Sequence, residues 1–233
     1  NTYTGKLYKQ DAAIMSWELA NEPRPMMTAS NDAYLKWIGS TASFIKNLDK
    51  NHLVTTGSEG DIATEMDKNM YTAAHTFKSI DYLTIHIWPK NWSWYKDTSI
   101  NAGYNEVLKN TEAYINRHAE IAAQLKKPLV IEEFGLPRDT HSFSADVSTS
   151  WRNRYYDYIF SFWKNSTAKK GVINGVNFWA VGGTAKGSPS QKYWWKPGDD
   201  YMGDPPQEEQ GLYSVFNSDA STWQVIRKYS QAK

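Results

Sequence analysis

Two glutamates stand out by where they fall. Glu22 lies in IMSWELANEPRP (residues 14–25), an apolar run that ends in Asn-Glu before a proline, and Glu133 lies in a later apolar run, PLVIEEFG (128–135). Two carboxyl groups at the ends of separate strands, with tryptophans around them, suit glycoside hydrolysis. One must protonate the leaving oxygen while the other attacks or activates water. An aromatic wall raises the pKa of the acid, and nearby donors keep its partner ionised. Asn21 adds an amide able to bind a sugar hydroxyl. The plainer reading makes both glutamates surface or ion-paired residues. Alternation along the run does not choose between Glu132 and Glu133.

The elements that would position these groups follow an alternating pattern. Strand-like runs cover 12–21, 52–58, 81–88, 128–135 and 171–181, and helical spacing covers 31–48, 104–126, 151–164 and 219–231. Strand then helix, repeated, implies parallel strands joined by crossovers. In DYLTIHIW (81–88), Leu83, Ile85 and Ile87 share one face while Thr84, His86 and Trp88 share the other. Glu22, His86 with Trp88, Glu133 and Trp179 then all fall at C-terminal strand ends, where α/β barrels build their sites. The stretch 182–211 is long for a connection, and its aromatics (Tyr193, Trp194, Trp195, Tyr201) favour a functional loop.

Composition narrows the classes. The chain has 233 residues, 40% of them hydrophobic, and a net charge of +1, which gives no electrostatic case for nucleic acid or an anionic membrane surface. No apolar run approaches the ~20 residues that span a bilayer. Cysteine is absent, so a disulfide framework, a thiol nucleophile and Cys-ligated zinc are excluded. His52, His75, His118 and His141 lack metal-ligand spacing. The aromatic content of 15%, with 11 Trp and 15 Tyr, exceeds the usual needs of a core and suggests platforms for flat sugar faces. Glu18 is expected inside the strand layer, and Glu59 and Asp61 to cap or meet solvent. The sequons NWS (91–93) and NST (165–167) are taken as chance.

WELANEPR (17–24), IHIWPKNW (85–92), VIEEFG (130–135), GVNFWA (175–180) and GDPPQEEQGLYSVF (203–216) together resemble clan-A (β/α)8 retaining glycosidases. Among these the likeness is to the family 5 β-mannanases. The resemblance implies a (β/α)8 TIM barrel of class α/β, with Glu22 as acid/base on strand 4 and Glu133 as nucleophile on strand 7. It implies that Asn21 binds the sugar 2-hydroxyl, that Arg24 reaches the leaving-group side, that His86 joins the polar active-site set and that Trp179 floors the −1 subsite. Glu132 would then face the helices and need a partner there. Where many members carry Tyr, this chain has Trp88, which can donate a hydrogen bond or serve as wall. Trp92 and Trp94 either extend the sugar platform or anchor their loop, and the same choice holds for Trp194 and Trp195.

Only twenty-one residues precede Glu22, whereas three strand–helix units should precede it in such a barrel. The expectation is strands 4 to 8 of one catalytic domain over 1–233, with strands 1 to 3 absent or on a second polypeptide. The implied activity is retaining endo-β-1,4-mannanase on mannan, glucomannan or galactomannan, without a cofactor, in a secreted enzyme. A family 5 endo-β-1,4-glucanase and a non-catalytic carbohydrate-binding protein are the alternatives, and the intact glutamate pair speaks against the latter.

Overall fold

A computed structural model of the chain describes residues 1–96, 99–188 and 192–230. The strands are β1 (Ser16–Glu18), β2 (Leu53–Thr55), β3 (Leu83–Ile87), β4 (Leu129–Phe134), β5 (Ile173–Val176), β6 (Val181–Gly183) and β7 (Val215–Phe216). The helices are α1 (Asn31–Leu48), α2 (Lys68–Thr76), α3 (Ile100–Leu125), α4 (Ser150–Ala168) and α5 (Ala220–Ser230). The predicted α/β alternation is therefore present. β1 pairs with β2 in parallel, β3, β4 and β5 form one sheet in that order, and β6 pairs with β7 in parallel.

Three departures from the expected elements stand out. Helix α2 follows β2 where no helix was expected. Short strands β6 and β7 flank the long stretch 182–211, residues 189–191 of which lie outside the described set, as does residue 231 at the end of the last predicted helix. That stretch also makes a backbone bridge of its own, Trp194 to Glu209.

The chain divides into two compact units. The first comprises Asn1–His86, Asn116–Glu132 and Gly171–Gly175, and the second Ile87–Ile115, Glu133–Lys170 and Val176–Lys233. In the first, α1 buries Tyr34, Ile38 and Ala42, spaced every four residues, against Val54, Met70, Ala74 and Ile80. Helix α2 starts because the Asp67 carboxylate accepts from the N–H groups of Asn69 and Met70. β2 and β3 share no ladder, yet polar groups join them. Thr55 Oγ1 donates to Tyr82 O at 2.9 Å, Thr84 Oγ1 to Ser58 O at 2.8 Å and His86 N to Glu59 O at 3.0 Å.

In the second unit, Phe134 meets Tyr155, Tyr156 and Phe160 edge-on, and α4 packs on α5. Two buried arginines organise the loops. Arg152 of α4 donates to the carbonyls of Leu136, Leu212 and Ser214 at 2.8–2.9 Å, and Arg138 pairs with Asp219 at 2.8 Å.

Histidines without metal spacing take structural roles in the first unit. His75 is fully buried between Thr56 Oγ1 and Tyr71 O, and burial pushes its pKa down to about 3. His118 Nε2 accepts from Asp61 N. His52 Nδ1 lies 2.6 Å from Asp49, which raises the imidazole's pKa against the opposing effect of burial. Burial likewise works to raise the Asp49 carboxyl, yet bonds from Trp17, His52 and two backbone N–H groups hold it well below its usual range. The signs differ accordingly. Asp49 contributes stability that is lost only in acid, whereas His52 contributes fully below the ordinary histidine value of ~6.5 and loses it as pH rises through its raised value. Thermal unfolding of the wild type should therefore show Tm falling as pH is raised above ~6.5, and His52→Gln should flatten that slope. Parallel Tm–pH curves for the two proteins would contradict this linkage.

Candidate active site

In the first unit, Glu22 sits just past the end of β1. Its N–H donates to Gly57 O at 2.9 Å, so the β1–β2 pairing extends to it, and its backbone turns into the left-handed region at φ 48°. That conformation is costly for a residue with a Cβ and clusters at functional sites. The side chain is thereby presented to His86, whose Nδ1 lies 2.8 Å from Glu22 Oε1. His86 is 1% exposed, and its Nε2 lies 3.7 Å from Glu132 Oε2. Arg24 spans two carboxylates, 3.7 Å from Glu22 and 2.5 Å from Glu59. Asn21 is exposed beside this group.

Several expectations are corrected here. Glu59 and Asp61 neither cap a helix nor meet solvent; both are 1% exposed. Glu59 pairs with Arg24, and Asp61 with Arg117 at 2.7 Å and His118 at 3.4 Å. Burial and the neighbouring Glu22 push the Glu59 carboxyl up, while Arg24 and His86 act the other way. Glu132, expected to face the helices, has a neighbour in His86 on the adjoining strand. Glu18 is exposed rather than interior. No signal in the local sequence at 59–61 reveals these partners, because Arg24 and Arg117 lie 35 and 56 residues away.

In the second unit, Glu133 is 8% exposed at the end of β4. Trp88, also 8% exposed, packs edge-on against Tyr213 with ring centroids 4.8 Å apart, within a cluster that includes Leu212, Trp92, Phe143 and Trp179. Trp88 is thus packed into an apolar cluster. Trp92 meets both Trp94 and Tyr114 of α3 at 5.0–5.1 Å, so it holds its loop to the helix while belonging to the same cluster. The Trp179 N–H donates to Phe134 O at 2.9 Å, its carbonyl accepts from Tyr156, and Asp204 accepts a side-chain hydrogen bond from it. Burial raises the Asp204 pKa, opposed by the Gly211 N–H and Trp179. Trp195 donates to Asp199 O and stacks on Tyr201, which makes it a loop anchor, while Trp194 is half-exposed.

Tyr213 and Asp204 were not singled out from the sequence. Both lie in GDPPQEEQGLYSVF (203–216), whose composition marks a loop without indicating its contacts. Asn91, read only as a sequon, accepts from the Tyr213 hydroxyl at 2.5 Å.

Each unit, taken by itself, presents its own set of groups. The first holds a carboxyl group hydrogen-bonded to a buried imidazole, which can store or release a proton. The second holds a nearly buried carboxyl group and an aromatic wall with a carboxylate-anchored tryptophan.

Comparison with known proteins gives concordant matches. A profile of the glycoside hydrolase family 5 β-mannosidase-like family matches residues 1–233. Mannan endo-1,4-beta-mannosidase 2 of Arabidopsis thaliana is 32% identical over 194 residues, covering 77% of this chain and 42% of its own length. The crystal structure of a glycoside hydrolase family 5 mannosidase from Rhizomucor miehei is 34% identical with a TM-score of 0.84, covering 98% of this chain and 53% of that one. A mutant of that family 5 mannosidase in complex with mannosyl-fructose is 31% identical with a TM-score of 0.79, covering 99% and 56%. The chain spans about half the length of the curated relatives it matches.

The wall depends on a missing side chain. A Cβ at Gly135 would lie 2.7 Å from Trp88 and 2.9 Å from Tyr213. Gly135→Ala should therefore displace one ring and cost about 1–3 kcal/mol. Chemical denaturation with tryptophan fluorescence as probe checks both effects; an unchanged midpoint and spectrum would show that the wall yields freely.

Proposed function

The chain belongs to the glycoside hydrolase family 5 β-mannosidase-like family, and from that premise we propose that it carries the catalytic pair of a retaining endo-β-1,4-mannanase. Glu133 attacks the anomeric carbon as Glu22 gives its proton to the departing glycosidic oxygen, so that the C–O bond breaks and a glycosyl ester forms. Water then attacks that carbon and loses a proton to Glu22, which frees the Glu133 carboxylate and restores the acid. The observation that carries the assignment of Glu22 is its 2.8 Å hydrogen bond to a buried His86, a ready proton partner. The two carboxyl groups of a retaining pair stand about 5–5.5 Å apart.

The remaining roles follow from the same reading. Asn21 binds the 2-hydroxyl and Arg24 the leaving-group side. Trp88 and Trp92 wall the cleft, and Trp179, anchored by Asp204, floors the −1 subsite. The substrate is mannan, glucomannan or galactomannan; the names of the similar enzymes and the mannosyl-fructose bound by one of them support a mannosyl substrate. Secretion rests on the family resemblance alone.

The strands β1 to β5 are read as strands 4 to 8 of the barrel. Two features of the first unit support this. Among the described residues β1 pairs only with β2, and an apolar groove lined by Leu7, Tyr8, Trp17, Ile45 and Leu48 lies beside it. An unpaired edge strand next to an apolar groove is suited to a further strand and helix.

Glu133→Gln should abolish mannan hydrolysis, by about 10³-fold or more, while oligosaccharide binding persists. Glu22→Gln should slow it by about 10²–10⁴-fold. Unchanged rates would refute the assignments, and faster turnover of carboxymethylcellulose than of mannan would move the substrate to β-glucan.

A further inference from the structure

Glu132 has no part in the double displacement, yet its place in the first unit is specific. Its Oε2 is buried, makes no hydrogen bond among the described residues and lies 3.7 Å from His86 Nε2. The opposite ring nitrogen, Nδ1, lies 2.8 Å from Glu22 Oε1. One imidazole, 1% exposed, therefore stands between two carboxyl groups, one at each nitrogen.

We propose that Glu132 is a positioning residue that keeps a proton on His86 Nε2 and through the ring sets the proton affinity of Glu22. The inference rests on Glu22 being the acid/base. A neutral imidazole carries one proton, and the partner at one nitrogen decides which. A carboxylate facing Nε2 favours the Nε2–H form, at 3.7 Å as an electrostatic partner rather than a hydrogen bond. Nδ1 is then left as an acceptor, so the bond to Glu22 forms when Glu22 carries the proton. With Nδ1–H instead, His86 would donate to Glu22 and favour the carboxylate, which is the wrong state for protonating a leaving group. The negative charge of Glu132 works in the same direction, since a like charge disfavours ionisation of Glu22.

Two more charged groups of the first unit lie near Glu22. Arg24, from the segment after β1, and Glu59, from the segment after β2, pair with each other at 2.5 Å and largely offset one another. Arg24 also approaches Glu22 at 3.7 Å and favours its ionised form, which Glu132 opposes from β4 across His86.

The test is long-range ¹H–¹⁵N spectroscopy of the histidine rings together with ¹³C titration of the Glu22 carboxyl, in the wild type and in Glu132→Gln. The wild type should show the Nε2–H tautomer at His86 at neutral pH; an Nδ1–H ring there overturns the proposal before any variant is made. In Glu132→Gln the ring should shift toward Nδ1–H and the proton affinity of Glu22 should drop, on the order of tenfold. Glu132→Asp, which keeps the charge, should restore most of both. A merely structural role would alter stability and leave these titrations unmoved, and that result in Glu132→Gln overturns the proposal. Hydrolysis by Glu22→Gln tests the underlying reading separately. Retained activity there removes Glu22 as acid, whereas lost activity with an unmoved Glu22 titration in Glu132→Gln sinks only the role of Glu132.

Discussion

The Glu22 end of the first unit depends on how closely the backbone at Gly57 passes the segment after β1. Gly57 has φ +75°, and a Cβ there would collide with the Ala20 carbonyl and the Glu18 side chain. Only glycine permits that approach. Because it is permitted, the ladder that begins at Ser16 and Leu53 continues past the strand ends, through Leu19 N to Thr55 O and then Glu22 N to Gly57 O. The last of these bonds holds Glu22 in its left-handed conformation and directs its carboxyl to His86. The cost of that conformation is carried by the ladder that ends in it.

A second constraint is the burial of charge just beyond β2. Glu59 and Asp61 are almost wholly removed from water, and each is held by an arginine from a distant segment. A buried carboxylate without a partner would be strongly destabilising, so these pairs are better read as conditions of burial than as sources of stability. Their arrangement has a consequence for the site. Glu59 carries the carbonyl that receives His86 N–H, so the residue whose carboxylate holds Arg24 also fixes the backbone of the histidine. In the second unit Arg152 has a comparable part. It ties Leu136, directly after Gly135, to Leu212 and Ser214 on either side of Tyr213, and so aligns the two backbones between which Trp88 packs.

How much of this could be read in the sequence follows from the range of each interaction. Helix α1 was legible to its ends because its buried residues recur every four positions and its neighbours break the pattern. Helix α2, nine residues long, was not, since LysAsnMetTyrThrAlaAlaHisThr carries few large apolar groups and only the Asp67 cap announces it. Strands β6 and β7, three and two residues long, fall below any periodicity that alternation can show. Glu22, His86, Glu133 and Trp179 could be singled out as candidates because strand ends concentrate chemistry. The partners of Glu59, Asp61 and Glu132 were not, because each lies on another strand or helix and leaves no mark on the residues beside it.

Trp88 shows what packing adds to residue type. An indole can donate one hydrogen bond, and from the sequence that capacity weighed equally with its surface. In the fold the ring is 8% exposed, lies edge-on to Tyr213 and fills the space that Gly135 leaves by having no side chain. A ring placed so is constrained on both faces by close packing, and a change at either neighbour must move it. The hydroxyl nearest this cluster belongs to Tyr213 and is already bonded to Asn91, whose backbone neighbour Trp92 is held by Tyr114. The loop after β3 is thus secured at three successive points, the indole of Trp88, the amide of Asn91 and the indole of Trp92. The aromatic surplus that suggested a sugar platform serves first to make that surface rigid.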